Sequence, residues 1–340
     1  MYFAIAWKNL KLSEKELSLV GKILAKEGRI FFFETENFEK CRNLAGFVKV
    51  GEVVPLETFI QMEKRLLWTN FHLKPSDKEK YNFKRYKQID LLKSDLEVKT
   101  KGLEAIFFKS MPDKVWIVKF YQNIDLYETI DFSKPVRSMW IWMMPAKLTH
   151  LMLNLATALD YDKTIYDPFA GLGTGLMVSN YFWNNVIGSD LNISPAKQNC
   201  KRWQTTQYFQ PDYKCFLFKQ DVTQPFSKKI VNYADFVVTE GYLGPTVWKY
   251  LNQKEAENLQ KSFENVYIDG IRNLLSLENL KKIVITFPVY KLKNGEFYYF
   301  ESMYGKISSF ANLELIDEVY IRPKQKVWRQ IWLITKKNEL

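Results

Sequence analysis

The sequence predicts an α/β protein: an open, mostly parallel seven-stranded sheet with one antiparallel strand, preceded by a small α+β region. Three observations predict it. The first is a strand, a glycine loop and a helix in succession around Tyr166-Asp-Pro-Phe-Ala-Gly-Leu-Gly-Thr-Gly175. The second is the continued alternation of short apolar strands with helical stripes after that unit, the pattern of βαβ crossovers. The third is an acid at the end of each of four successive strands: Asp167, Asp190, Asp221 and Glu240. In a doubly wound sheet such strand ends converge on one crevice.

Residues 1 to 60 read as strand and helix pieces. Tyr2 to Trp7 is strand-like, and Ser13 with Glu16 three residues on has the form of a capping box. Leu17, Val20, Ile23 and Leu24 follow at helical spacing. Strands are expected at 29–35 and 45–54, a helix at 57–67, and after a further helix two more strands at 105–109 and 115–122. Between them lies a polar, basic stretch, Lys74 to Lys87, in which Tyr81, Phe83 and Tyr86 interleave with Lys and Arg. That mixture suits both a grip on a phosphate backbone with base stacking and an ordinary solvated loop.

Pro135 to Leu148 forms a linker with two Trp and three Met, which either packs against the next domain or lines the entrance to its pocket. Pro145 then starts a helix over 146–159. The domains are accordingly placed at 1–130, a linker at 131–150, and 151–340.

Thr164 to Phe169 is a buried strand, and the helix after the loop is expected over 176–183. Gly171, Gly173 and Gly175 let the backbone adopt φ > 0 and approach a ligand closely, and a helix N-terminus behind them favours a carboxylate or phosphate. A second strand, 185–189, ends in Asp190-Leu-Asn192, where a nucleotide-binding α/β fold keeps the acid for ribose hydroxyls. Further strands are expected at 214–220, 235–239 and 281–287. Helices are expected at 196–207 and 255–277, and a terminal antiparallel pair at 315–321 and 328–335. The loop spacing does not fit the dinucleotide fingerprint, and no Lys follows it as a P-loop requires. What remains is S-adenosyl-L-methionine, an adenosine carrying a carboxylate.

Composition bounds the alternatives. The 340 residues are 47% apolar and carry a net charge of +11, which suggests a polyanionic partner. Residues 1–150 hold 26 basic and 19 acidic side chains, residues 151–340 hold 23 and 19, so the N-terminal part is the better candidate for capturing it. Three scattered cysteines and two histidines argue against a disulfide framework and against a metal centre. No apolar run reaches the length of a membrane span, no signal peptide is recognisable, and a cytoplasmic monomer is expected.

The string Asp167-Pro-Phe-Ala-Gly-Leu-Gly-Thr-Gly175 resembles the first motif of class I methyltransferases that modify exocyclic amines of nucleic acids. The whole chain is similar to the THUMP-domain tRNA guanine-N2 methyltransferases. The similarity lies in Tyr2-Phe-Ala-Ile-Ala-Trp7 with Leu12-Ser-Glu-Lys-Glu-Leu17, in Gln122-Asn-Ile-Asp-Leu-Tyr127, and in Arg137-Ser-Met139 with Pro145-Ala-Lys-Leu148. It continues in the cofactor loop and in Arg322-Pro-Lys-Gln-Lys-Val-Trp-Arg329. It implies a Rossmann-like methyltransferase domain behind a ferredoxin-like, THUMP-like RNA-binding region, with tRNA as substrate. It also implies a cofactor site made by Asp167, Phe169, Ala170, Gly171, Gly173, Thr174, Gly175, Asp190, Leu191 and Asp221. In place of the family's acid-Pro-Pro-aromatic motif the chain has Glu240-Gly-Tyr-Leu243. Glu240 takes the acid's place as acceptor of an amine hydrogen bond, and Tyr242 is the candidate for stacking on the base. Arg137, Lys147 and Lys324 are candidates for backbone contacts. Two other readings stand beside this one: a methylase of adenine N6 or cytosine N4 in DNA or rRNA, and a non-catalytic RNA-binding relative.

Overall fold

In a computed structural model, the described residues are 1–55, 57–58, 66–68, 103–106, 113–137, 143–245, 249–320 and 327–337. The chain divides into two compact units, Met1–Asp125 and Leu126–Leu340.

The N-terminal unit holds β1 (Tyr2–Ala6), α1 (Leu10–Leu17), β2 (Lys22–Glu27), β3 (Ile30–Glu34), β4 (Phe47–Pro55), β5 (Leu66–Trp68), β6 (Leu103–Ile106) and β7 (Lys114–Tyr121). Its sheet runs β2-β3-β1-β4-β7-β6-β5, antiparallel throughout except for the β5–β6 pair. Phe3, Ile5, Phe32, Trp116 and Val118 form a core on it, because alternate residues of neighbouring strands share a face.

Two expectations fail in this unit. α1 starts at Leu10, and its N-cap is Asn9, whose side chain accepts the Leu12 amide at 3.1 Å. Ser13 and Glu16 lie inside that helix and buried. The Ser13 hydroxyl donates to the Gly46 carbonyl at 2.9 Å, and the Glu16 carboxylate accepts the amides of Ala45 and Gly46 at 2.8 and 2.7 Å. The pair that reads as a capping box is a buried staple onto the loop before β4. Nor does the helix continue through Ile23 and Leu24. A Cβ at Gly21 would meet the Glu34 carbonyl at 2.3 Å, and Gly28, with φ of 59°, turns the chain into a hairpin. Pairing of β2 with β3 therefore overrides the helical spacing. The helices expected at 57–67 and after residue 87, and the basic stretch 74–87, lie wholly or mostly outside the described residues.

The C-terminal unit begins in the first turn of α2 (Ile124–Phe132). It continues through α3 (Ala146–Thr157), β8 (Thr164–Asp167), α4 (Thr174–Tyr181), β9 (Asn185–Asp190), α5 (Ser194–Trp203), β10 (Cys215–Lys219) and β11 (Phe236–Thr239). Then come α6 (Gln253–Leu275), β12 (Lys282–Lys291), β13 (Phe297–Tyr298), α7 (Glu301–Ser308), β14 (Ala311–Tyr320) and β15 (Val327–Lys336). The strand order is β10-β9-β8-β11-β12-β15-β14, with the short β13 on β12. The first five strands are parallel and β15 runs against them. This is the expected Rossmann-like sheet of seven strands with β15 reversed, to which the two-residue β13 adds an eighth, antiparallel on β12. Its core joins Tyr166, Val237, Ile283 and Ile285 of the central strands to Phe263, Tyr267 and Ile271 of α6. The amphipathic α6 is stopped at its start by a full capping box, Asn252 with Glu255.

Candidate cofactor and methyl-acceptor site

Register brings the ends of the parallel strands together. Asp167 of β8 is paired with Gly188 of β9, and Asp190 of β9 with Lys219 of β10. Asp167 is 5% exposed, and its Oδ1 accepts the Thr239 hydroxyl at 2.7 Å and the Phe169 amide at 3.1 Å. Burial raises its carboxyl to about 7, with further raising by the charges of Asp190 and Glu240, while the two hydrogen bonds lower it.

The glycines of the loop have distinct reasons. Gly171 and Gly173 have φ of 47° and 80°, a region disfavoured for a side chain. At Gly175 the obstacle is space, since a Cβ there would stand 2.6 Å from Asp167 Oδ2. Asp190 ties the loop to β9: one oxygen accepts the Gly171 amide and the other the Asn192 amide, both at 2.9 Å. Asn199 of α5, 1% exposed, donates to the Leu172 carbonyl from the far side at 3.0 Å.

Asp167, Phe169, Ala170, Gly171, Leu172, Thr174, Gly175 and Glu240 line one pocket together with Met143 and Met144. Two of the three linker methionines, Met143 and Met144, thus belong to the pocket's lining. Other candidates lie outside that lining. Leu191 is exposed, and Asp221 accepts the amide and hydroxyl of Thr223 in a tight turn. Tyr242 is 41% exposed, its ring set edge-on against Phe263 and its carbonyl accepting the Tyr267 hydroxyl. Arg137 sits over the ring of Phe132, Lys147 is half-buried on α3, and Lys324 lies outside the described residues.

The loop after Glu240 explains the departure from a proline motif. Gly241 has φ of 69°, which the pyrrolidine ring of proline cannot adopt. A Cβ there would also meet the Thr286 carbonyl at 2.8 Å. Leu243, in the aromatic's place, is buried in the core.

Two residues missed by the sequence reading complete the site. Arg329 of β15 is fully buried. Its Nε donates to Glu240 Oε1 at 2.5 Å, and its Nη2 lies within ion-pair distance of the same oxygen, across β12. A lone arginine within the apolar run Val327–Ile334 was the available signal, since such a charge is rarely buried unpaired. Lys134 of the linker, 6% exposed, donates to the Thr174 hydroxyl at 2.5 Å.

The glycine loop and the first residues of α4, at a helix N-terminus, border the pocket, and the buried ammonium of Lys134 bonds two of its lining residues, Thr174 and Met143. Among the described residues no group of three His, Cys, Asp or Glu is placed to hold a metal ion, and no helix is long and apolar enough to cross a membrane.

One expected result follows from Asp167. Unfolded, its carboxyl loses the proton near 3.8, whereas folded it keeps the proton to about 7. The unfolded state binds fewer protons across that interval, so this group lowers stability as pH rises through it. Asp167→Asn removes the effect and keeps an oxygen for Thr239 and Phe169. In denaturant titrations, the stability of the variant relative to the parent should rise between about pH 4 and 7. A constant difference across that range would count against the shifted carboxyl.

No protein-family model matches the chain, and no curated protein matches it. Solved structures similar to it include a TehB-like SAM-dependent methyltransferase from Corynebacterium glutamicum, at 16% identity over 52% of this chain and 82% of that one, with a TM-score of 0.31. TehB from Haemophilus influenzae is 12% identical over 66% and 71%, with a TM-score of 0.37. A methyltransferase from Pyrococcus furiosus is 10% identical over 61% and 91%, with a TM-score of 0.38. The fold assignment stands on strand order and register alone.

Proposed function

We propose that the C-terminal unit is an S-adenosyl-L-methionine-dependent methyltransferase whose acceptor is the exocyclic N2 amine of a guanosine in tRNA. The observation that supports it most is the position of Glu240: the carboxylate after β11 shares one pocket with the glycine loop and Asp167. Bound S-adenosylmethionine supplies an electrophilic methyl group on its sulfonium. The protein's part is orientation. The loop amides and Asp167 face the methionine portion, Asp190 the ribose hydroxyls, and Asp221 with Leu191 the adenine. Glu240 accepts a hydrogen bond from the acceptor NH2 and so directs the nitrogen lone pair along the line of attack. Arg329 holds that carboxylate in one orientation. Met143 and Met144 wall the pocket against water. Tyr242, two residues after Glu240 and exposed, offers a ring outside the pocket on which an extruded base stacks.

The choice of RNA rests on the sequence resemblance and on the basic surplus of residues 1–150. In this reading the N-terminal unit is a THUMP-like capture region that engages phosphates, with Arg137, Lys147 and Lys324 contacting the backbone near the active site.

The test is transfer of labelled methyl to total tRNA, rRNA and duplex DNA, followed by nucleoside analysis. Methylguanosine from tRNA alone is the expected result. Methyladenine or methylcytosine would overturn the substrate assignment. Cofactor binding without transfer to any of the three would favour a non-catalytic RNA-binding protein.

A further inference from the structure

Two of the three cysteines meet beside the glycine loop. Cys200 lies on α5, and Cys215 opens β10, the edge strand of the C-terminal sheet. Their thiols are hydrogen-bonded to each other. Both line one small cavity with Leu176 and Met177 of α4, Val186 of β9 and Trp203 of α5. The methyl-transfer chemistry above uses neither thiol.

The two sulfurs differ in a way that suits stepwise oxidation. Cys200 is 5% exposed and Cys215 is half-buried, so a small oxidant reaches Cys215 more readily. The bond from Cys200 holds the Cys215 thiol below its ordinary value against the opposing effect of burial. The same bond, with burial, raises the thiol of Cys200. Because the thiolate is the reactive form, Cys215 is the attacking sulfur and Cys200 the resolving one. Cys41 is 1% exposed, and burial beside Glu16 and Glu39 pushes its thiol up to about 12, which leaves it inert.

α5 sets this couple against the cofactor loop. Cys200 Sγ stands 3.3 Å from the point that a Cβ on Gly173 would occupy. The preceding residue, Asn199, donates to the Leu172 carbonyl of the loop at 3.0 Å. It also accepts the Val136 amide at 2.9 Å and donates to the Val136 carbonyl at 3.0 Å. Adjacent residues of one helix thus carry a thiol and the clamp that ties loop and linker together. Drawing Cys200 toward β10 moves that clamp.

We propose that Cys200 and Cys215 are a dithiol site that a peroxide oxidises to a disulfide, and that this bond loosens the glycine loop and its hold on the cofactor. The effect on the cofactor rests on the assignment of S-adenosylmethionine, whereas the disulfide itself does not. The Cys215 thiolate attacks one oxygen of hydrogen peroxide. The O–O bond breaks, Cys215 becomes a sulfenic acid, and the departing hydroxide takes up a proton to form water. The Cys200 sulfur then attacks the Cys215 sulfur and expels the second oxygen, which leaves as water with the Cys200 thiol proton. Two thiols lose two electrons and two protons, and the peroxide becomes two waters.

The test exposes the full chain to a small excess of hydrogen peroxide, alkylates the remaining thiols in denaturant and maps the peptides by mass. One cross-linked pair holding Cys200 and Cys215 is expected, with Cys41 alkylated. By calorimetry, the oxidised protein should bind S-adenosylhomocysteine about tenfold more weakly than the reduced one, the scale of one lost hydrogen bond. A dithiol reductant should restore the affinity. Cys200→Ser and Cys215→Ser should each bind the ligand nearly as the reduced parent does and should not respond to peroxide. The oxidised parent should melt no lower than the reduced one, because a cross-link restricts the unfolded chain; this separates the bridge from general oxidative damage.

Alkylation of both Cys200 and Cys215 after peroxide, or a bridge that leaves affinity unchanged, would overturn the proposal. A reduced parent that fails to bind S-adenosylhomocysteine would overturn the cofactor assignment and the proposed effect of the bridge with it, whatever the peptide map shows.

Discussion

Arg329→Met should destabilise the protein by about 3–5 kcal/mol, the usual cost of leaving one member of a buried ion pair behind. The guanidinium is fully buried, bonds one carboxylate oxygen of Glu240 through Nε and forms its ion pair with that same oxygen. Removing it leaves that carboxylate, 12% exposed, near the acid Asp167 with only the longer-range charge of Lys134 to offset it. The loss should appear as a lower denaturant midpoint with an unchanged slope. Adding Glu240→Gln to the same chain removes the stranded charge and should restore much of the stability, so the two substitutions are strongly non-additive. A single-variant loss below about 1 kcal/mol, or simple additivity, would mean that Arg329 and Glu240 are not a buried couple.

Glu240→Gln alone should lower turnover by about 10²- to 10³-fold, the scale on which one oriented hydrogen-bond partner of a transition state is felt. The amide oxygen still accepts from Arg329, so the loop keeps its place, and affinity for S-adenosylhomocysteine should change by less than about threefold. On the proposed role of Glu240, what is lost is the anionic acceptor that fixes the amine. Because binding and chemistry separate, the informative measurement is single-turnover methyl transfer to tRNA set beside calorimetry. Unchanged turnover would remove Glu240 from the reaction. A parallel loss of cofactor affinity would place it on the cofactor instead of the acceptor.

The two substitutions probe one arrangement from opposite ends. Arg329 tests whether the carboxylate is held, and Glu240 tests what it is held for. That a buried ionic couple lies at the end of β11, rather than the rigid proline turn of the amine methylases, follows from the backbone. Gly241 and Gly244 both have positive φ, 69° and 82°, and they bend the loop onto β12. There the Thr286 hydroxyl donates to the Glu240 carbonyl and the Tyr290 hydroxyl to that of Leu243. A proline would orient this loop through a stiff backbone; hydrogen bonds to a neighbouring strand orient it instead.

The sequence by itself determined the order of the βα units, the reversed strand of the terminal pair in the C-terminal sheet, and the glycine loop between β8 and α4. Those features are written in local signals: apolar runs of strand length, helical periodicity, and glycines between a strand and a helix. Where a local signal competed with pairing, it misled. Ser13 and Glu16 have capping-box spacing, yet they are buried against Ala45 and Gly46. Ile23 and Leu24 fit a helical stripe and form a strand. Only the tertiary structure decided how the site is charged. Glu240 meets Arg329 across 89 residues and Thr174 meets Lys134 across 40, and no spacing rule links such positions. The cause is physical: an ionic side chain buried within a fold takes its partner from whichever strand or linker the topology lays beside it, and that neighbour is set by the packing of the whole sheet.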